Sequence, residues 1–270
     1  MNRIFTLAVA SIMAATIVST AESASKEKKH LLVVTHTTGF RHSSIPTAEK
    51  VLGEMAAKTG AFDVDYCRND VDVRNMMTTE VLKKYDGVIF ANTTGNLGIP
   101  DLRAFLDWLK AGKGFIGMHS ATDTYHPDSI GGDRGYVEMI GAEFKTHDKQ
   151  CEIEARNNDL KNPATKHLGA SWKILDEIYL FKENTRPTTH VLLSTSSAPC
   201  VDNPQSGDYM VAWCHDYGKG RVFYTSLGHR EDVWENPVYQ EHILGGIKWV
   251  LRLTKGNAKP NNPIPGSASK

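Results

Sequence analysis

The sequence predicts a doubly wound α/β fold with a mostly parallel sheet and a mixed C-terminal half. Between residues 31 and 119, short continuous apolar runs alternate with segments that carry helix start and stop signals. Such runs are typical of parallel strands buried on both faces. From about residue 151 onward, strand-like segments follow one another with little helix between them. This change of pattern predicts further strands joined by long loops, and the 270 residues fit one large domain.

The first half contains four predicted strands with a helix after each of the first three. Strands are predicted at 31–34, 62–67, 87–91 and 114–119, and helices from Ser43 or Ser44 to about 58, at 78–85 and at 100–110. Pro46 in the first turn and Gly60 after the end mark the limits of the first helix. Parallel strands joined by helices require right-handed crossovers, which place helices on both faces of the sheet.

The second half is predicted to be richer in strands. They are expected at 151–156, 174–181, 191–194, 210–215 and 221–226, and an amphipathic helix at 237–253 closes the domain. Residues 256–270 are rich in Pro, Asn, Gly and Ser, so we predict a flexible tail there. The folded domain is thus expected to cover residues 30–253.

The N-terminus resembles an export signal. Arg3 precedes an uncharged apolar stretch of about 15 residues, shorter than the roughly 20 needed to cross a bilayer, and the small residues Ser19 and Ala21 follow it. We therefore predict a signal peptide at residues 1–23, no membrane span after cleavage, and a periplasmic or extracellular protein. The four cysteines, at positions 67, 151, 200 and 214, permit three full disulfide pairings in that compartment, and buried unpaired thiols are an equal alternative.

Charge and motif content exclude two classes of partner. The chain has 31 basic and 31 acidic side chains and no long basic run, which argues against binding to nucleic acid phosphates. It has no glycine-rich phosphate loop of the dinucleotide or Walker type, so no nucleotide cofactor is expected. A small or neutral ligand is the partner that remains.

Polar side chains collect after the predicted parallel strands, where ligands bind in open α/β sheets. The first strand is followed by His36, Arg41 and His42, the third by Asn92, and the fourth by His119, Ser120 and Asp123, while later loops add His126, His147, Glu177, Tyr179 and His229. Because the sequence has no HExxH or HxH pair, a metal site would have to combine histidines from separate loops, with Asp123 or Glu177 and one open position. The alternative is that each histidine is packed singly.

Two positions within this set carry a specific expectation. His119 lies in the segment 117–123, where a strand-to-helix turn of an α/β hydrolase would present its nucleophile, but an imidazole suits metal binding or proton transfer instead. Asp176 and Glu177 lie on a predicted strand, so only one of the two carboxylates should face the cleft, on the same side as Tyr179.

Five motifs in order resemble the ThuA-like (trehalose utilisation) family. They are residues 39–42, 117–123, 141–144 with His147, 176–179 and 218–229, and together they span nearly the whole of residues 30–253. The resemblance implies a flavodoxin-like fold of the class I glutamine amidotransferase-like superfamily. True amidotransferases have a cysteine nucleophile at the elbow, where this chain has His119, so glutamine hydrolysis is not expected. The resemblance also implies a divalent metal, zinc or similar, on His42, His119 and His147.

The resemblance points to disaccharide or 3-keto-glycoside metabolism. In an enzyme of that kind, His119 or His147 would act as a base or ligand, Arg41 and His42 would stabilise an oxyanion or bind metal, and Asp123 would orient them. Glu177, Tyr179 and His229 are the expected substrate-binding residues. Lyase, hydrolase and isomerase chemistry all remain open. Two other possibilities are a non-catalytic carbohydrate-binding protein on a degenerate amidotransferase fold and a metal-dependent hydrolase of an ester or amide.

Overall fold

The structure, a computed structural model, describes residues 28–197 and 206–261. The predicted signal peptide, Cys200 and the last nine residues of the predicted tail lie outside the described residues. No helix in the described part of the chain combines the length and apolar character that a membrane crossing requires.

Eleven strands and seven helices are present in the described residues. The strands are β1 (Lys29–Val34), β2 (Phe62–Cys67), β3 (Gly87–Ala91), β4 (Gly114–Met118), β5 (Phe144–His147), β6 (Cys151–Asn157), β7 (Ser171–Asp176), β8 (Tyr179–Phe181), β9 (His190–Ser197), β10 (Ser206–Tyr217) and β11 (Gly220–Thr225). The helices are α1 (Ile45–Thr59), α2 (Asp70–Met76), α3 (Thr79–Leu82), α4 (Leu102–Lys110), α5 (Arg134–Ile140), α6 (Glu231–Glu235) and α7 (Pro237–Val250), and a 3-10 turn covers His119–Asp123.

Nine strands form one sheet in the order β2-β1-β3-β4-β11-β10-β9-β6-β7. The first five are parallel neighbours, and from β10 onward the neighbours are antiparallel. If β11 is counted as the fifth parallel strand, the parallel part has the 2-1-3-4-5 order of flavodoxin-like folds. The predicted parallel sheet with a mixed C-terminal half is therefore confirmed.

The parallel strands separate two hydrophobic cores. In β1, Leu31 and Val33 pack into one core with α1 and α7, whereas Leu32 and Val34 pack into the other with α4 and α5. All four of these side chains are fully buried. Because successive strand residues face opposite sides of a sheet, burial on both sides requires the continuous apolar run seen in the sequence.

The predicted strand at 174–181 is wrong in one respect that matters for function. The chain forms β7 and β8 with a break at residues 177 and 178, and β8 leaves the main sheet to pair with β5. The Asp176 carboxylate accepts the Glu177 N–H at 2.9 Å, which turns the chain at this point. The expectation that only one of the two carboxylates faces inward fails for this reason, since both are buried.

The fourth strand also ends one residue earlier than predicted. It stops at Met118 because His119 adopts a left-handed backbone conformation with φ of 50° and starts the 3-10 turn. The short helices α2, α5 and α6 and the strand β5 were not predicted. Cys67 and Cys214 are buried free thiols, so neither takes part in a disulfide.

Candidate metal-binding site

Four side chains from four separate segments converge at the carboxyl edge of the parallel strands. Each offers a ligand atom, and these atoms all lie within 4.8 Å of one another. We call them the His/Glu cluster: His42, His119, Glu177 and His229. His42 follows β1, His119 follows β4 and His229 follows β11, while Glu177 occupies the break between β7 and β8.

The distances within the His/Glu cluster match those between ligands of one small cation. His119 Nε2 lies 3.1 Å from His42 Nε2, 3.3 Å from His229 Nδ1 and 3.5 Å from Glu177 Oε2. His229 Nδ1 lies 3.2 Å from the same Glu177 oxygen. Ligand atoms bound tetrahedrally at about 2.0–2.1 Å are about 3.4 Å apart. Three imidazoles and one carboxylate also form a donor set that zinc and similar divalent ions accept.

Hydrogen bonds to the opposite side of two of the three rings indicate which nitrogen faces the cluster. His119 Nδ1 donates to the Ser226 carbonyl at 2.8 Å, so Nε2 carries the free lone pair. His42 turns Nδ1 toward the Ser120 hydroxyl at 3.4 Å and points Nε2 inward. In this tautomer, His119 Nε2 has no hydrogen to donate to its three cluster neighbours. A cation bound between them would satisfy all of these lone pairs.

The position of His119 depends on its unusual backbone. A positive φ at a residue that is not glycine costs free energy, and it persists only where the surroundings fix it. Here the Tyr224 hydroxyl donates to the His119 carbonyl at 2.5 Å, and the His119 side chain is completely buried. Asn92, at the end of the neighbouring β3, has a φ of 57°, so two adjacent strand ends share this conformation.

Buried Asp176 orders two members of the cluster through the backbone. One of its oxygens accepts the N–H of Glu177, and the other accepts the Gly228 N–H at 2.6 Å, directly before His229. The Gly228 carbonyl accepts from Asn92 Nδ2 at 2.9 Å. Gly228 has a φ of 115°, and a Cβ there would approach the Tyr239 hydroxyl to 2.8 Å. Glycine is therefore required at this point of the loop.

Local charges keep two of the four groups, His42 and Glu177, in the states that metal binding needs, whereas they favour the protonated form of His229. Burial and the neighbouring imidazoles of His119 and His229 lower the pKa of His42 from 6.5 to about 3, so its ring is neutral at physiological pH. Burial raises the pKa of Glu177, but its contacts with His119 and His229 lower the pKa by more, to well below its usual range. For His229, burial lowers the pKa, whereas the hydrogen bond and charge of Glu177 raise it more.

A cavity of about 190 Å³ opens onto three of the four cluster members. Its lining consists of Phe40, His42, Asp123, Phe144, His147, Glu177, Tyr179 and His229. At about 30 Å³ per water, this volume holds roughly six water molecules. The cavity thus places open space beside the inward-facing side of the cluster, where a ligand group could reach a bound ion.

The other predicted site residues lie at different distances from the cluster. His147 Nδ1 is 3.1 Å from Glu177 Oε1, so His147 contacts a cluster member but is not itself one of the four. Tyr179 packs its ring 4.5 Å from that of His119, and burial raises the pKa of its phenol well above 10, which keeps the hydroxyl protonated. Arg41 is exposed, donates to the Thr35 carbonyl and does not line the cavity.

Asp123 lines the same cavity but is not a member of the His/Glu cluster. It is bound by His126, which also contacts Glu143. Asp176, Gly228 and Glu143 were not assigned roles from the sequence. The contact between Asp176 and Gly228 joins residues that are far apart in the sequence, and no sequence motif predicts it.

An α/β fold of flavodoxin-like order with a His/Glu cluster at its strand ends defines the class of this protein. A family model described as trehalose utilisation (ThuA) matches residues 30–250. The chain therefore belongs to the ThuA family. No curated protein sequence matches it at a significant level.

Solved structures share the fold at low sequence identity. A ThuA-like protein from Bacteroides uniformis is 21% identical with a TM-score of 0.66, over 86% of this chain and 94% of that one. A ThuA-like protein from Parabacteroides merdae is 18% identical with a TM-score of 0.68, over 89% of this chain and 94% of that one. A GH42 beta-galactosidase from G. stearothermophilus is 11% identical with a TM-score of 0.52, over 86% of this chain and 30% of that one. At these identities the likenesses concern the fold alone.

Proposed function

We propose that the protein is a divalent-metal-dependent enzyme of carbohydrate metabolism that acts on keto sugars or related disaccharides. The convergence of three imidazoles and one carboxylate within 4.8 Å is the observation that carries this proposal. Membership of the trehalose utilisation family supports a carbohydrate ligand. The N-terminal apolar stretch supports export to the periplasm or the cell exterior.

In this proposal the His/Glu cluster holds the ion, and the cavity admits one end of the ligand. The bound cation would supply Lewis acidity toward a carbonyl or hydroxyl oxygen. His147 lies beside Glu177: its Nδ1 hydrogen-bonds to the Asp148 carbonyl at 3.0 Å and lies 3.1 Å from Glu177 Oε1, the oxygen that does not contact His119 or His229. The protonated phenol of Tyr179 adds a hydrogen-bond donor in the same cavity.

The aromatic residues around the cavity suit a sugar ring. Phe40 is two-thirds exposed at 67%, although it borders the cavity, and its ring centroid is 4.8 Å from that of His42. Phe144 packs against Tyr179 with centroids 4.3 Å apart. Exposed aromatic faces beside polar groups provide contact surface for the apolar faces of a carbohydrate.

The direct test combines metal analysis with turnover. Protein purified without added metal, then treated with chelator and reloaded with zinc, cobalt or manganese, should bind one equivalent of a divalent ion. The loaded protein should convert 3-keto-trehalose or a similar keto sugar, and the chelated protein should not. Binding of such sugars without turnover would favour the non-catalytic alternative, and failure to bind any of the three ions would contradict the proposal.

A further inference from the structure

A second group of charged side chains borders the same cavity and reaches outward from it. Asp123 is the last residue of the 3-10 turn, His126 lies in the next loop and Glu143 follows α5. We call these three residues the acid–imidazole chain. Asp123 lines the cavity, but its carboxylate is not among the ligand atoms of the His/Glu cluster.

His126 lies between two carboxylates at short distances. Its Nε2 donates to Asp123 Oδ1 at 2.5 Å and its Nδ1 donates to Glu143 Oε1 at 2.8 Å. Both nitrogens can donate only when both carry hydrogen, so His126 is an imidazolium in this arrangement. The ring is thereby fixed at both ends.

The outer end of the acid–imidazole chain is anchored by cations. Lys182 Nζ lies 2.5 Å from Glu143 Oε1, and Arg134 lies 4.0 Å from the other oxygen. Glu143 is only 6% exposed. Asp128 contacts Lys182 at 3.4 Å, and its side chain is 89% exposed. Lys182 and Arg134 thus hold Glu143, which in turn binds His126.

This arrangement leaves one oxygen of Asp123 available. Oδ1 accepts from His126, whereas Oδ2 makes no hydrogen bond with any described residue. Because Asp123 lines the cavity, its carboxylate borders the space that a ligand would fill, and Oδ2 is the oxygen that His126 does not engage. A general base must lie within hydrogen-bonding distance of the proton that it removes from the ligand.

We propose that Asp123 is the proton acceptor of the site and that His126 and Glu143 position it. This inference rests on the proposed function. The ligand would place its carbonyl oxygen toward the His/Glu cluster and an adjacent C–H bond toward Asp123. The ligand class is thus a polyhydroxy ketone with a hydrogen on the carbon next to the carbonyl.

The proton transfer is balanced within the ligand and Asp123. The C–H bond breaks, the proton goes to Asp123 Oδ2, and the electron pair moves onto the carbonyl oxygen to form an enolate. Return of the proton to the former carbonyl carbon, with a hydroxyl proton moving to the other oxygen, isomerises the ligand. Departure of a substituent from the next carbon with its electron pair eliminates it. Neither outcome needs an oxidant or a reductant.

The first experiment measures exchange of the proton that Asp123 is assigned to remove. Metal-loaded protein is incubated with 3-keto-trehalose in D2O, and loss of the signals from hydrogens next to the carbonyl is followed by proton NMR. Asp123→Asn should slow exchange by about 100-fold or more, the usual contribution of a general base, with metal content unchanged. The matched control Asp128→Asn should exchange at the wild-type rate.

Equal exchange rates in wild-type protein and Asp123→Asn would overturn the assignment. Loss of bound metal in Asp123→Asn would also overturn it, because Asp123 would then be part of the metal site. His126→Gln should lower kcat and change its pH profile with little effect on KM. A purely structural role of His126 would instead lower thermal stability and leave the pH profile of the remaining activity unchanged.

The second experiment needs neither metal nor turnover. In protein labelled with nitrogen-15 in histidine, the His126 ring should stay protonated to a higher pH than an ordinary histidine. Asp123→Asn and Glu143→Gln should each lower that titration midpoint, and Asp128→Asn should change it least. An ordinary midpoint, unchanged in both variants, would overturn the acid–imidazole chain even if metal binding and turnover are confirmed. Absence of metal binding beside the expected titration would contradict the proposed function alone.

Discussion

Two histidines at the same cavity, His42 and His126, show how neighbours decide the chemistry of one side chain. Around His42 lie two further imidazoles, and burial together with them lowers its pKa to about 3. For His126, hydrogen bonds to Asp123 and Glu143 outweigh burial and raise the pKa above 6.5. Between about pH 3 and 6.5, the first ring is therefore mainly neutral and the second mainly a cation.

The difference assigns the two groups to separate tasks. A neutral imidazole such as that of His42 suits metal ligation, because it offers a lone pair without competition from a proton. An imidazolium between carboxylates suits the positioning of a carboxylate. The comparison predicts that substitutions in the His/Glu cluster act on metal affinity, and that substitutions in the acid–imidazole chain leave metal affinity intact.

The largest effect is expected for His119→Ala. His119 Nε2 contacts all three other members of the His/Glu cluster within 3.5 Å, so its removal takes away the central ligand. Metal affinity should fall by more than about 100-fold, beyond the range usual for residues that only support ligands. Titration with zinc by calorimetry measures the change.

The matched control for this prediction is His30→Gln, at the opposite edge of the sheet in β1. His30 pairs with Asp65 at 3.2 Å, outside the cavity. Its substitution should leave zinc affinity unchanged. Equal zinc affinity in His119→Ala and in wild-type protein would contradict the site as described.

An intermediate effect is expected for Asp176→Asn. Asp176 accepts the N–H groups of Glu177 and Gly228 and so orders two ligand-bearing segments. An amide can accept only one of these bonds and presents an NH2 group to the other. Zinc affinity should fall by about 10- to 100-fold, as for other residues that support metal ligands. Wild-type zinc affinity in Asp176→Asn would show that the backbone at Glu177 and Gly228 keeps its conformation without the Asp176 carboxylate.

A smaller effect is expected for His147→Gln. His147 is 43% exposed and contacts Glu177 through one pair of atoms 3.1 Å apart. Loss of one partly exposed contact with a charged group is worth about 1 kcal/mol at most, or up to roughly five-fold in zinc affinity. A loss as large as that of His119→Ala would indicate that His147 is itself a ligand, as the family resemblance implies.

Much of the fold follows from the sequence because its signals are local. The strand at residues 62–67 and the third strand were predicted with their observed bounds, since apolar runs flanked by turn residues mark them clearly. Gly60 ends α1 in a left-handed conformation, as expected from its position after the helix. The break after Asp176 was missed because the hydrogen bond that accompanies it is made by Gly228, 52 residues away.

The sequence identified all four members of the His/Glu cluster as candidate site residues, but not that these four lie together. Strand ends identified His42 and His119 as neighbours, because the topology brings the ends of β1 and β4 to one edge. The sequence pattern did not show whether His147 or His229 would join His42 and His119 in the cluster. That choice depends on the conformation of the Gly228 peptide and on a few ångströms at Glu177, which no residue pattern encodes.

The smallest expected effect on metal affinity, and the clearest contrast with the cluster, belongs to Glu143→Gln. Zinc affinity should not change, because Glu143 contacts His126 and Lys182 and none of the four ligands. Stability should change instead. The raised pKa of His126 means that its ion pairs stabilise the folded state below pH 6.5 and are lost as the pH rises through the raised value.

The contribution of Glu143 to stability depends on pH in the opposite direction. Burial raises its pKa, but hydrogen bonds from His126 and Lys182 lower it below 4.5, so its contribution is present above that pH and is lost in stronger acid. The difference in Tm between wild-type protein and Glu143→Gln should therefore be largest between about pH 4.5 and 6.5, and should shrink as His126 loses its proton. Melting curves over pH 4 to 9, with Asp128→Asn as the exposed control, measure it. A Tm difference that grows steadily toward pH 9 would show that His126 carries no charge in the folded protein, and the contrast between the two histidines would fail.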